Sequence, residues 1–177
     1  MTARLHRPSR GFTLVELLIV VAIAAILLTL AAPAFNDMLA RQRMEGQVNE
    51  FVTDLQYARS ESVHRNRNVV LLTGGAGTCY VIAASSAAGS CNCTVTNPAT
   101  ACTGGPSAIK TVQLSGGVTV TNATSFDFEP VRGSLQSGVD ATATLTLGTW
   151  SVNAVVPAYG RVSACSPSAS LRGFPSC

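Results

Sequence analysis

Hydrophobic and polar positions divide the chain into three stretches with different periods. From Phe12 to Phe35, 24 consecutive residues carry one charge, Glu16. At 1.5 Å per residue a helix of that length reaches about 36 Å, enough to cross a bilayer with some tilt. Next, Met44, Val48, Phe51, Leu55, Ala58 and Ser62 recur at alternating intervals of four and three. That is the stripe of an amphipathic helix covering a sheet, and its small far end, Ala58 and Ser62, lets the sheet approach closely. Glu45, Glu50, Asp54, Arg59, Glu61, Arg65 and Arg67 form a charged face opposite, read as a solvated helix surface. The two stretches together predict one helix from Phe12 to about Asn66, kinked or loosened at Pro33, which has no N–H to donate and crowds the preceding turn.

After Gly74-Gly75 the pattern changes to short β-branched runs separated by Gly, Ser, Asn and Pro. Strands are expected at 68–73, 79–83, 109–114, 118–121, 125–128, 141–147, 151–156 and 161–164. Residues 84–107, rich in Ala, Ser, Thr and Cys, are expected to be a loop too polar and irregular to form a core. The fold class is therefore α+β, a long N-terminal helix packed on an antiparallel β-sheet domain.

Charge changes the picture at the N-terminus. The formal net charge is +3, and Arg4, Arg7 and Arg10 account for all of it; beyond Gly11, nine basic residues balance nine acidic ones. Basic residues leading directly into an apolar span place the N-terminal end in the cytoplasm and the chain beyond the span in the periplasm. A secretory signal peptide would share these features, and Ala32-Pro33-Ala34 loosely fits its cleavage site. Neither that reading nor a plain anchor explains Glu16, since a carboxylate inside a span costs about 2.5–3.5 kcal/mol.

Gly11-Phe12-Thr13-Leu14-Val15-Glu16-Leu17 explains it by resemblance. The segment resembles the prepilin peptidase motif of type IV pilins and type II secretion pseudopilins. The resemblance implies cleavage between Gly11 and Phe12, N-methylation of Phe12, and a Glu16 carboxylate that pairs with the N-terminal amine of a neighbouring subunit. A buried charge is tolerated when it is paired, so Glu16 becomes a docking device. The implied organisation is a leader at 1–11, a transmembrane helix at 12–35, an amphipathic periplasmic helix at 36–67 and a β-rich pilin domain at 68–177. Phe51 to Val63, with Leu55-Gln56-Tyr57-Ala58-Arg59-Ser60-Glu61-Ser62, further resembles the segment typical of FimT/GspH minor pilins and H-type minor pseudopilins. Ser62 stands where that group usually has Ala.

The six cysteines, Cys79, Cys91, Cys93, Cys102, Cys165 and Cys177, all lie beyond the apolar span, on the oxidising side of the membrane. They read as up to three disulfides with 15 possible connectivities, Cys165 and Cys177 closing a C-terminal loop. Cys91-Asn92-Cys93 is spaced more tightly than zinc ligands usually are. No catalytic elbow, phosphate loop or metal-ligand pair is visible, so neither enzyme activity nor a cofactor is expected. His64 suits a helix C-terminus better than general-base work. Asp127 and Glu129 share a strand face and read as solvated carboxylates.

Binding remains. Lys110, Arg132, Arg161 and Arg172 are the basic residues of the β-domain. Some FimT-type minor pilins are implicated in DNA uptake through a Gly-Arg-x-Arg motif. Here Gly160-Arg161-Val162-Ser163 keeps the first Arg and loses the second, with Arg172 a candidate replacement. The alternative is that Arg161 pairs with Asp140 or Glu129. The function implied is a minor pilin that helps initiate or cap a type IV pilus and contacts DNA, or else an H-type pseudopilin of a type II secretion system. Its partners would be other pilin subunits, prepilin peptidase and the inner membrane. Mass spectrometry of the membrane-purified protein is expected to find a mature N-terminus at Phe12; a start at Phe35 would restore the ordinary signal peptide.

Overall fold

A computed structural model describes residues 11–84, 91–121, 125–167, 171 and 173–177, with the side chains of residues 30–34 outside that description. Helix α1 runs Leu14–Arg65, and the kink expected at Pro33 falls where side chains are not described. By contacts the chain divides into two compact units, Met1–Leu39 and Ala40–Cys177.

The second unit holds the core. Its strands are β1 (Val69–Gly74), β2 (Cys79–Ala84), β3 (Ser107–Gln113), β4 (Thr119–Thr121), β5 (Phe126–Phe128), β6 (Ala141–Leu147), β7 (Trp150–Val156) and β8 (Ser163–Cys165). Each lies within a few residues of its expected position. They form two four-stranded antiparallel sheets rather than one, in the orders β3-β2-β1-β5 and β4-β6-β7-β8. The stripe of α1 serves both. Met44, Val48, Phe51, Leu55, Ala58 and Ser62 are all fully buried, and the five apolar ones join a single cluster with residues of both sheets. Phe51 meets Tyr80 of β2 edge-on at 5.1 Å and Phe126 of β5 at 6.3 Å. Such aromatic pairs add to the gain from burying apolar area.

The segment expected to be too polar for a core builds a second, smaller one. Disulfides join Cys79 to Cys93 and Cys91 to Cys102, and a short helix α2 (Pro98–Ala101) begins at Asn97, whose side chain accepts from Ala99 N. Cys79, Val81 and Cys93 are buried together, with Leu72 and Ala108 against them. This explains why β2 is buried at five successive positions instead of alternating. One face of β2 meets the helix and the other meets the disulfide loop, as in a strand covered on both sides. The third disulfide, Cys165–Cys177, closes the C-terminal loop as expected.

The charged face of α1 also needs correction. Asp54 is only 5% exposed. It accepts a hydrogen bond from the Tyr80 hydroxyl at 2.8 Å, and Lys110 Nζ reaches its two oxygens at 2.8 and 2.7 Å. Burial, then the Asp54 charge, pushes the Tyr80 hydroxyl above the usual phenol range, so it stays a donor. Glu50 adds a looser contact to Lys110 at 3.7 Å, with both side chains well exposed. Asp54 thus ties the helix to β2 and β3 from the flank of the apolar stripe. Asp54→Ala is expected to lower the free energy of unfolding in urea by about 1–3 kcal/mol, because it orphans a buried hydroxyl. Glu50→Gln should change it by less than about 1 kcal/mol, as exposed pairs do.

Candidate functional site

Two regions carry candidate chemistry. In the first unit, Thr13 caps α1: its hydroxyl accepts from Glu16 N at 3.3 Å, and its carbonyl accepts from Leu17 N at 3.2 Å. Thr13-Leu14-Val15-Glu16 has the Thr-x-x-Glu form of a capping box, a signal present in the sequence that explains where the helix starts. Glu16 therefore lies in the first turn, where the helix dipole favours a carboxylate. Its side chain has no hydrogen-bond or ion-pair partner among the described residues. Phe12, Leu14, Val15 and the apolar residues to Leu28 are exposed. Among the described residues no helix is long and apolar enough to cross a membrane. The expected span at 12–35 includes residues 30–34, whose side chains lie outside the description.

In the second unit, Gln56, Arg59, Ser60, Val63, Arg132, Arg161 and Val162 line an open groove of about 450 Å³. Arg59 comes from α1, Arg132 from the β5–β6 connection and Arg161 from the β7–β8 connection. Local geometry brings the two connections together. Arg59 Nε donates to Gly133 O at 2.9 Å. Ser62 Oγ lies 2.8 Å from Arg59 O and 3.2 Å from Glu129 O. Gly160 has a φ of +84°, and a Cβ there would stand 2.0 Å from Gly133 O and 3.2 Å from Arg59 Nε. Only glycine fits this crossing, on both counts. Leu135 N donates to Ala158 O at 2.9 Å, joining the same connections.

The carboxylates proposed as partners for Arg161 are engaged elsewhere. Asp140 Oδ1 accepts from Ala158 N at 2.8 Å, and Glu129 accepts from the Ser134 hydroxyl. Asp127 is not simply solvated: it accepts from Asn68 Nδ2 at 3.3 Å, and burial raises its carboxyl above the ordinary range. Arg132 and Arg161 are exposed and have no ion pair among the described residues. Three guanidinium groups thus line one groove that contains no acid.

Of the four basic residues singled out from sequence, the structure brings Arg132 and Arg161 together. Lys110 faces another groove with Thr53, Asp54, Tyr57 and Ile109, where its charge is taken up by Asp54. Arg172 lies outside the described residues. Arg59, read as part of a solvated face, is the third member of the groove. Its spacing held a clue: it is four residues after Leu55 and three before Ser62, on the edge of the buried stripe. The six cysteine sulfurs are bonded in pairs.

Similarity to known proteins divides along the same line. The prokaryotic N-terminal methylation motif matches residues 6–32. Fimbrial protein EcpC of Eikenella corrodens is 40% identical across 28% of this chain and 39% of its own length. A fimbrial protein of Pseudomonas aeruginosa is 38% identical across 36% of this chain and 41% of its own. The chain thus spans about two fifths of these curated relatives. The crystal structure of the type IV minor pilin FimU of Pseudomonas aeruginosa superposes with a TM-score of 0.52 at 17% identity, covering 70% of this chain and 94% of that one. It shares the fold. The family described as Type II transport protein GspH matches residues 47–162, from the buried stripe of α1 through the arginine groove. The chain belongs to the GspH family.

Proposed function

We propose that this chain is a FimT-like minor pilin that helps initiate or cap a type IV pilus and contacts DNA through the groove of Arg59, Arg132 and Arg161. At the level of the family it is a minor pilin or GspH-type pseudopilin, a structural subunit. The observation that carries the finer reading is the gathering of three arginines, with no carboxylate among the lining residues, on a chain whose charges beyond Gly11 balance only when those three are counted. Guanidinium groups suit phosphate because their forked donors match its oxygens. Three phosphate contacts would give weak binding to duplex DNA, with a slope of log K against log salt near −2.7, from about −0.9 per contact. The other family reading, an H-type pseudopilin in a type II secretion pseudopilus, requires no nucleic acid contact.

The N-terminal region supports assembly. Cleavage between Gly11 and Phe12 by prepilin peptidase would free an amine able to pair with the Glu16 carboxylate of a neighbouring subunit. The apolar residues at 12–35 would hold the subunit in the inner membrane, with residues 36–67 and the β-domain in the periplasm. Pro33 would let the packed helix loosen during assembly.

Glu16→Val is expected to insert and be cleaved normally but to enter filaments poorly, scored by immunoblot of sheared pili; normal incorporation would remove the docking role. For the groove, fluorescence anisotropy of labelled duplex DNA should compare the full chain in detergent with an Arg132→Ala, Arg161→Ala double variant. The variant should bind more weakly, with the salt slope reduced in magnitude by about 2. Equal binding by both proteins, or by neither, ends the DNA proposal and leaves the purely structural readings, a minor pilin or a secretion pseudopilin.

A further inference from the structure

Arg132 and Arg161 sit on separate connections, which meet through Leu135 N donating to Ala158 O at 2.9 Å and Ala158 N donating to Asp140 Oδ1 at 2.8 Å. Each is one residue from a glycine at the crossing: Arg132 precedes Gly133, and Arg161 comes directly after Gly160. At that crossing the half-buried Arg59 guanidinium donates to Gly133 O at 2.9 Å, and the space beside its Nε is what Gly160 leaves open. One turn further along α1, the Ser62 hydroxyl approaches Glu129 O at 3.2 Å, at the start of the turn closed by Gly133 N on Glu129 O at 3.1 Å. The Ala58-Arg59-Ser60-Glu61-Ser62 segment of the helix therefore grips the connection that carries Arg132, and through Gly133 it supports the one that carries Arg161.

We infer that Arg59 is a positioning residue: its hydrogen bond to Gly133 O, added to the Leu135–Ala158 and Asp140–Ala158 bonds, holds the turns at 129–134 and 157–161 together, so that Arg132 and Arg161 join its own guanidinium in one preformed three-cation site for a phosphodiester backbone. This deepens the DNA-contact reading of the groove and rests on it. The physical gain is preorganisation. Two long arginine side chains on independently moving turns would lose that freedom on every binding event, whereas turns already joined have lost it on folding. An arginine suits the task because its Nε lies on a rigid planar fork, whereas a lysine ammonium carries the same charge on a flexible stem.

The test separates charge from position with Arg59→Lys in the full chain in detergent, read by amide hydrogen exchange and by DNA anisotropy. Exchange in peptides covering 129–134 and 157–161 should be faster by about tenfold or more, with β6 and β7 unchanged, as for opening confined to a local unit. DNA affinity should fall by about tenfold while the salt slope stays near the wild-type value, because the number of cations is the same. Arg161→Ala, by contrast, should reduce the slope by about 1 without loosening the turn at 129–134. Wild-type exchange in both turns of Arg59→Lys, or wild-type affinity, overturns the inference. If Arg59→Lys also opens β6 and β7, Ser62→Ala decides instead: faster exchange at 129–134 supports the grip of the helix on that turn, and unchanged exchange overturns it. If the wild-type chain binds no DNA, the DNA reading fails by itself, and the exchange measurement alone decides whether Arg59 holds the turns.

Discussion

The burial of one helical stripe against two sheets is the constraint on which the rest of the β-domain depends. Met44, Val48, Phe51, Leu55 and Ala58 lose all contact with solvent and meet residues of both sheets in one cluster. Neither sheet could be stable alone at this size, since short antiparallel strands need a packed apolar face. The narrow end of the stripe matters as much as the bulky part. At Ala58 and Ser62 the helix approaches the β5–β6 connection closely enough for side chains to bond to its backbone.

Polar contacts then set the register of what the apolar stripe only holds in place. Asp54, taking both Tyr80 and Lys110, fixes the helix on β2 and β3 along one flank. Arg59 and Ser62 do the same toward the β5–β6 connection. Apolar contacts are non-directional, whereas a charge-assisted hydrogen bond has a required distance and angle. The flanks of the stripe therefore carry the specificity of the packing. The disulfide loop works on the outer face of β2, where Cys93 and Val81 are buried beneath it. Two cross-links restrict a segment too poor in apolar residues to order itself by burial.

These arrangements place the arginine groove at the narrow end of the stripe. The same residues that close the core there also collect Arg59, Arg132 and Arg161. Stability and the candidate binding surface thus share one set of contacts. The N-terminal region is different in kind. Its apolar residues are exposed, and the Glu16 carboxylate has no hydrogen-bond or ion-pair partner among the described residues.

Much was legible in the sequence because it depends on local period. The helix, its buried stripe, all eight strands to within a few residues and the Cys165–Cys177 bridge are consequences of spacing, turn residues and cysteine placement. So was the N-terminal motif, whose residues are contiguous. What only the tertiary structure decided concerns residues distant in sequence. Asp54 reads as solvated until β2 and β3 are seen to cover it. Lys110 reads as free until Asp54 is found beside it. Residues 84–107 read as core-less until Cys93 and Ala101 prove buried. Arg161 kept two possible carboxylate partners until Asp140 was found bonded to Ala158 N and Glu129 to the Ser134 hydroxyl. The physical reason is common to all four. A side chain's charge and period are properties of its segment, but its solvation and its partners depend on which other segments fold against it, and no local pattern records that.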